Sequence, residues 1–257
     1  MTSKGVEIVR RALITAIGLA WFCSGGSGNV SAEVAPVKEI LKHADQARGN
    51  LDGIVWNIKI TTSADGSTES REMAVKVKKN NTLAKFTSPP NMNDRLVLMV
   101  DRNMWFIRSG LKKPVSLSPR QKLLGDAANG DIASTNYVED YRAAMLGEEP
   151  VGKEACYVLD LKAAKKNVTY DRIKYWVSKE RLIGVKAEFY TVSGKLFKTA
   201  EFKYDNRVRI NGQEAPFVSE LVIKDAIQQD RTTTMAYSDI RIEPIPDSTF
   251  NLNVLVR

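Results

Sequence analysis

Histidine and cysteine, which commonly serve as nucleophiles, bases or metal ligands, are scarce in this chain. The 257 residues include one histidine, His43, and two cysteines, Cys23 and Cys156. A Ser-His-Asp triad, a Cys-His pair or a Cys/His zinc site needs further positioned partners. Neither a G-x-x-x-x-G-K-[ST] loop nor a G-x-G-x-x-G motif occurs. The sequence therefore weighs against an enzyme, and it predicts neither a metal nor a cofactor.

The surroundings of these residues favour structural roles. The apolar residues at positions 37, 40, 41 and 44 recur with the spacing of an amphipathic helix, and His43 falls on its polar side. Cys156 lies in an apolar run at 155–159, which predicts a buried, unreactive thiol. The acidic pair Glu148-Glu149 is expected to be a solvated turn.

Composition and charge describe an ordinary globular chain. Hydrophobic residues make up 43% of the sequence and charged residues 26%, a balance that disfavours disordered and multi-span membrane proteins. The net charge of +8 is spread along the chain, so nucleic-acid binding is not expected. Since no Pro/Ser/Gly-rich linker divides the middle, residues 33–257 are predicted to form one domain.

The N-terminal segment has the pattern of a secretory signal peptide. Lys4, Arg10 and Arg11 precede an apolar run at 12–23, and small and polar residues then lead to Ala32. This order predicts a signal peptide over 1–32 that is cleaved after Ala32, which leaves an exported, soluble protein. The apolar run is shorter than the ~20 residues that a membrane-spanning helix needs.

A lipoprotein alternative remains open, because Cys23 follows the apolar run and lipidation there would anchor the protein to a membrane. Phe22 argues against it, since a small residue normally precedes a lipidated cysteine.

After the first helix the hydrophobic period changes to that of half-buried strands. Asp65-Gly66 separates the first two strands, and this dipeptide suits a type I′ hairpin turn. Short turns join antiparallel neighbours, so a long antiparallel meander is the simplest arrangement. The predicted strands span 54–60, 73–77, 83–88, 96–101, 104–108, 155–161, 170–178, 182–190, 195–204, 217–226 and 232–242.

The middle of the chain, residues 119–147, loses this alternation. Residues 137–146 predict a helix that ends at Gly147. The fold class is therefore mainly β with a few helices: one curved antiparallel sheet whose apolar face is covered by short helices. An incomplete cover would leave an apolar cavity.

Eight segments together resemble the LolA-like outer-membrane lipoprotein-sorting proteins. They are 104–108 (MWFIR), 112–115 (KKPV), 121–126 (QKLLGD), 136–141 (NYVEDY), 175–180 (YWVSKE), 188–190 (EFY), 193–199 (SGKLFKT) and 245–250 (IPDSTF). The resemblance covers about residues 38–257. It implies a half-open β-barrel plugged by helices, a periplasmic location, a monomer, and a hydrophobic interior that holds the acyl chains of lipoproteins or lipids.

Two functions fit this resemblance for an exported, soluble protein, and a third, a surface-anchored lipoprotein acceptor, would require lipidation of Cys23. The first is a carrier that hands an acylated cargo between membranes and membrane complexes, with inner-membrane transporter components as partners. The second is a regulatory or adaptor module of the same shape, which senses lipoproteins or serves a transporter complex.

Strand parity alone selects the residues that would line such a cavity. In each strand the more apolar parity is taken as inward. The predicted lipid-binding residues are Trp56, Ile58, Val75, Leu98, Phe106, Tyr157, Leu159, Tyr175, Phe189 and Phe202.

Overall fold

A computed structural model describes residues 36–133, 135–228 and 230–256. The predicted signal peptide and Cys23 lie outside the described residues. The α-helices are α1 (Val37–Gln46), α2 (Tyr137–Asp140) and α3 (Leu252–Leu255), and short 3₁₀ helices span Pro90–Met92, Asn129–Ile132 and Asp247–Phe250. Helix α1 confirms the first predicted helix, and His43 is exposed on it.

Strands account for most of the described chain. Their bounds are β1 (Asp52–Ala64), β2 (Ser67–Lys78), β3 (Asn81–Ser88), β4 (Arg95–Val100), β5 (Asn103–Arg108), β6 (Val115–Leu117), β7 (Lys122–Leu124), β8 (Ala127–Ala128), β9 (Tyr141–Val151), β10 (Glu154–Ala163), β11 (Arg172–Ser178), β12 (Gly184–Tyr190), β13 (Leu196–Lys203), β14 (Asn206–Ile210), β15 (Gln213–Phe217), β16 (Glu220–Asp225) and β17 (Thr232–Ile242).

One antiparallel sheet of 13 strands carries the fold. Its order is β6-β5-β4-β3-β2-β1-β17-β16-β13-β12-β11-β10-β9. Strands β1 to β6 form one meander, strands β9 to β13 form a second, and β16 and β17 join the two. The predicted meander is thus confirmed in two halves. The sheet does not close, because β6 and β9 are left as its edges, and the result is the half-open barrel that the resemblance implies.

The β1–β2 hairpin turns at the predicted dipeptide. Asp65 and Gly66 have φ values of +50° and +73°. A type I′ turn requires positive φ at both central residues, and Asp and Gly tolerate it better than bulkier residues do.

The helix predicted over 137–146 is wrong beyond its first turn. Helix α2 ends at Asp140, and β9 begins at Tyr141 and pairs with β10. Residues such as Ala143, Ala144 and Met145 favour helix locally, but edge pairing with β10 overrides that preference. In β9 the odd-numbered positions 141, 143 and 145 are the less exposed ones, which is the period of a strand.

The sheet has two unequal faces. The large hydrophobic cluster occupies one of them, here called the inner face, together with the buried side of α1. A smaller cluster lies on the outer face of β3–β5 beneath the chain's last described residues. No helix of the described residues is long and apolar enough to cross a membrane.

Candidate functional site

The structure brings most of the predicted lining residues together on the inner face. Trp56, Ile58, Val75, Leu159, Tyr175, Phe189 and Phe202 are buried in the large cluster. Phe106 and Tyr157 are partly buried and pack against the same cluster. Strand parity therefore selected one connected apolar surface.

Leu98 is the exception, because its inward assignment is wrong. It is fully buried, but it packs with Val55, Ile107 and Phe250 in the outer cluster. Val97 and Met99, its neighbours on β4, are the residues that face inward. Residues 96–100 are apolar throughout, since the C-terminal segment covers the outer face here. Parity cannot be read from a strand that is buried on both faces.

A segment between β6 and α2 covers one end of the inner face. This cover segment, residues 118–133, contains β7, β8 and a 3₁₀ helix, and β7 pairs only with β8, outside the main sheet. Leu124, Ala127 and Ile132 point into the large cluster. Its backbone-to-backbone hydrogen bonds in the described residues are made within the segment, for example from Asn129 N–H to the Gln121 carbonyl.

Polar side chains of the sheet hold this cover segment. Arg71 donates to the Leu123 carbonyl at 2.7 Å, and Thr233 Oγ1 accepts from Asp126 N–H at 2.9 Å. Gly125 lies so close that a Cβ there would be 2.3 Å from Thr62 Oγ1. Its φ of +55° also favours glycine. The cover segment therefore packs closely against the main sheet, but its strands β7 and β8 do not pair with strands of that sheet.

Two spaces lie near the cover segment in the described part of the chain. A cavity of about 50 Å³ lies beside Arg48 and Tyr137, and pockets for drug-sized ligands occupy roughly 300–1,000 Å³. A wider groove of about 550 Å³ lies at the margin of the cover segment, lined by Ala128, Phe197 and Lys198. An acyl chain reaches the cavity beside Arg48 only if a cover is displaced.

Two groups of buried polar residues lie on the inner face. The first, the lysine cluster, consists of Asp126, Asp131, Tyr170 and Lys198. Lys198 is 5% exposed and donates from Nζ to the Asp126 carbonyl at 2.8 Å, with Asp131 Oδ2 at 3.6 Å. Its ammonium lies 4.6 Å from the centre of the Tyr170 ring.

Asp131 completes the lysine cluster. It accepts the Tyr170 hydroxyl at 2.7 Å and the backbone N–H of Ala128 at 2.8 Å. Burial lowers the pKa of Lys198, whereas Asp131 and Asp126 act in the opposite direction. Each charged group of this cluster has at least one partner, although Asp126 Oδ2 is buried without one in the described residues. The lysine cluster therefore joins β13, the cover segment and the loop before β11.

The second group, the arginine cluster, consists of Asp45, Arg48, Tyr137, Tyr175 and Tyr204. The Arg48 guanidinium carbon lies 4.5 Å from the Phe202 ring centre and 5.3 Å from that of Tyr137. The Tyr137 and Tyr175 rings meet edge to face at 5.4 Å. Arg48 Nη1 and the hydroxyls of Tyr175 and Tyr204 are buried without a hydrogen-bond partner among the described residues.

Asp45 joins α1 to α2 in this cluster. Its Oδ2 accepts the Val138 backbone N–H at 2.9 Å, and its Oδ1 is buried without a partner in the described chain. Burial raises the pKa of Asp45 to about 8, although the Val138 and Tyr137 backbones and Arg48 act against this rise. Asp45 is therefore largely protonated at neutral pH and does not balance the charge of Arg48.

Sequence patterns contained signals for two of these residues. Asp45 follows Leu41 by four residues, so an acidic side chain falls on the apolar side of α1. Lys198 shares its strand parity with Ala200 and Phe202, so it faces inward. Arg48 follows the helix and belongs to no periodic pattern. Cys156 is fully buried, as predicted, and burial raises the pKa of its thiol.

A wider groove opens on the outer face, with a volume of about 730 Å³. Leu83, Leu96, Ile107 and Leu255 line it, and Lys76 lies among the polar lining residues. It is distinct from the surface that the sequence selected. In the described residues, no group of three or more His, Cys, Asp or Glu side chains is arranged to hold a metal ion.

Comparison with known proteins identifies relatives of this fold. A family model with the description "-like: Uncharacterized protein" matches residues 78–257. No curated protein matches the chain. A domain from Vibrio parahaemolyticus is described as an outer membrane lipoprotein-sorting protein domain. It is 20% identical with a TM-score of 0.73, and the match covers 86% of this chain and 98% of that domain. A DUF1329 family protein from Desulfovibrio piger is also 20% identical, with a TM-score of 0.71, over 85% and 97%.

A LolA superfamily protein from Nitrosomonas europaea has higher identity. It is 32% identical with a TM-score of 0.77, and the match covers 86% of this chain and all of the other. On this similarity, and with the open antiparallel barrel it accompanies, the chain belongs to the LolA superfamily.

Proposed function

We propose that this protein is an exported, non-enzymatic carrier that shields the acyl chains of a lipoprotein or other lipid on its inner face. The observation that supports this proposal is a continuous apolar surface, which runs from Val75 through Trp56 to Phe189 beneath a separately folded cover. Each CH₂ group removed from water contributes about 0.8 kcal/mol, so a long chain gains substantial free energy there.

The polar docking of the cover segment supports a cover that moves. Opening would break side-chain contacts such as those of Lys198 and Thr233, and the 13-stranded ladder would remain intact. Polar groups exposed by opening regain hydrogen bonds to water, which limits the cost of displacement. Cargo would then replace the apolar side chains that the segment inserts, including Leu124 and Ile132.

Such a carrier belongs in the periplasm, between two membranes, and would receive cargo from membrane components and pass it on. This part of the proposal follows from the predicted signal peptide over 1–32 and from family membership.

A disulfide that locks the cover tests the proposal. A Cβ on Gly130 would lie 3.1 Å from the Thr169 Cβ, slightly shorter than the 3.5–4.5 Å typical of disulfides. The double variant Gly130→Cys/Thr169→Cys should therefore cross-link the cover segment to the β10–β11 loop after a small shift. When it is oxidised, we expect binding of a fluorescent fatty-acyl probe to fall at least 10-fold, and reduction should restore it.

A Cβ on Gly130 would lie 2.0 Å from the native Thr169 Oγ1, so the matched controls are Thr169→Cys and the double variant Gly130→Cys/Thr169→Ala. Both should bind the probe under both redox conditions. A cross-linked double variant that binds the probe as well as its reduced form would contradict entry beneath the cover segment.

A further inference from the structure

The charge of Arg48 is unusual for a protein interior. Lys198, a buried cation on the inner face, has Asp131 at 3.6 Å. Arg48 as a residue is half-buried, and its guanidinium lies beside the rings of Phe202 and Tyr137. Its Nη1 is buried and has no hydrogen-bond acceptor in the described chain. A guanidinium stays charged at any physiological pH, and withdrawing its donors from water is costly unless they are paired.

Two neutral donors lie near the same guanidinium. Tyr175 is fully buried, Tyr204 is 6% exposed, and neither hydroxyl has a partner in the described residues. Burial raises the pKa of Tyr204 well above its ordinary value, Tyr175 raises it further, and Arg48 lowers it. Both hydroxyls therefore remain protonated and able to donate. Arg48 lines the cavity directly and interacts electrostatically with both tyrosines. A cationic donor and two neighbouring neutral hydroxyls therefore favour an acceptor with negative charge.

We propose that the arginine cluster binds the anionic head group, a carboxylate or a phosphate, of an amphiphile whose acyl chain lies on the inner face. This inference rests on the proposed carrier function and adds a substrate class to it. The planar guanidinium suits bidentate contact with carboxylate or phosphate oxygens. The Tyr175 and Tyr204 hydroxyls supply further donors.

The space beside the cluster fits a small group. The cavity next to Arg48 measures about 50 Å³, and a water molecule occupies about 30 Å³ of liquid volume. A group of carboxylate size therefore fits without rearrangement, while a phosphate needs the cover to shift. Asp131 and Asp140 also line this cavity, and each is paired with a cation, Lys198 and Arg102 respectively. Asp45, which does not line it, would repel an anion if ionised, but its raised pKa keeps it largely neutral at pH 7.

Three lipids with the same C18:1 chain and different head groups test the site: oleate, oleyl alcohol and oleyl phosphate. Binding is measured by displacement of a fluorescent fatty-acyl probe at pH 7, below the critical concentration of each lipid. For the parent protein we expect oleate or the phosphate to bind at least 10-fold tighter than the alcohol. A preference between the two anions identifies the head-group chemistry.

Arg48→Met should remove that preference and leave alcohol binding within 2-fold of the parent, while Arg48→Lys should retain part of it. Lys59→Met is the matched control: it also removes one positive charge, but Lys59 is exposed beside Glu72 and lines no part of this cavity, so the preference should persist.

The outcomes separate this inference from the carrier proposal. If the parent binds the alcohol as tightly as both anions, the anion site is wrong and the carrier function stands. If the parent binds none of the three lipids, the carrier function itself fails. Equal loss of anion and alcohol binding in Arg48→Met would make Arg48 a structural support of the cavity and overturn its role as an anion ligand. The parent's own preference decides the matter if Arg48→Met does not fold.

Discussion

The lysine cluster and the arginine cluster both place a cation among aromatic rings on the inner face, yet they differ in their hydrogen bonds. Lys198 reaches a carbonyl and a carboxylate, and the Tyr170 hydroxyl donates to that same carboxylate. In the arginine cluster, Arg48 Nη1 and two tyrosine hydroxyls have no partner in the described residues. A satisfied buried network stabilises one conformation, whereas an unsatisfied one costs free energy until a ligand completes it.

The two clusters also differ in what they join. Lys198, on β13, donates to the Asp126 carbonyl of the cover segment, so the lysine cluster joins that segment to the sheet. The arginine cluster lies where α1, α2 and β11 meet, next to the cavity. Stability and binding are therefore expected to depend on different residues.

The largest expected effect is a difference in the free energy of unfolding between a variant of the lysine cluster and a variant of the arginine cluster. Asp131→Ala removes the carboxylate beside Lys198 and the acceptor of Tyr170, so we expect it to lower the free energy of unfolding by about 3–5 kcal/mol. Arg48→Met removes a charge that has no counter-ion and should change stability by less than about 1 kcal/mol. Urea denaturation followed by tryptophan fluorescence measures both.

An equal loss in the two variants would show that Arg48 is as structural as Asp131. The exposed pair Lys59–Glu72 supplies the control, since Glu72→Ala removes a carboxylate that is 44% exposed. That variant should cost no more than about 1 kcal/mol.

The sequence predicted the strands and the inner face, which repeat with a regular period along the chain, better than it predicted the two polar clusters. Alternation identified most of the strands and the inner face, because burial of one face imposes a period of two. It was wrong at Leu98, where both faces are covered, and over 141–146, where edge pairing overrides helix preference. The arginine cluster could not be predicted, because Arg48, Tyr175 and Tyr204 meet only in the folded chain.

A second expected effect concerns pH. Asp45 has a pKa of about 8 in the folded state against an ordinary value of 3.8, so between these values the folded chain keeps a proton that the unfolded chain has lost. Raising the pH therefore favours unfolding. This contribution is fully favourable below about pH 4 and is lost progressively up to about pH 8. Between pH 5 and pH 7 it should lower stability by about 1–3 kcal/mol.

Asp45→Asn keeps an oxygen that can accept the Val138 N–H and cannot ionise. The difference in stability between variant and parent should therefore grow in favour of the variant as the pH rises from 5 to 7. Urea denaturation at both values measures it, and a difference that does not change with pH would mean that Asp45 is ionised in the fold.

The smallest expected effect compares two tyrosine hydroxyls in matched surroundings. Tyr170 is 4% exposed and Tyr204 is 6% exposed, so replacing either by phenylalanine removes one oxygen from an equally buried ring. The Tyr170 hydroxyl donates to Asp131 at 2.7 Å, and a bond to a charged acceptor is worth more than a neutral one. Tyr170→Phe should therefore cost about 1.5 kcal/mol.

Tyr204→Phe should cost almost nothing and could stabilise the protein slightly, because its hydroxyl gave up water on folding and gained no partner in the described chain. The two variants keep their ring contacts, so the difference between them isolates the hydrogen bond. Equal losses would mean that the Tyr204 hydroxyl is satisfied, for instance by a buried water, and the arginine cluster would then resemble the lysine cluster. If Tyr204→Phe leaves the free energy of unfolding unchanged and weakens oleate binding, the Tyr204 hydroxyl contributes to ligand binding, whereas that of Tyr170 contributes to stability.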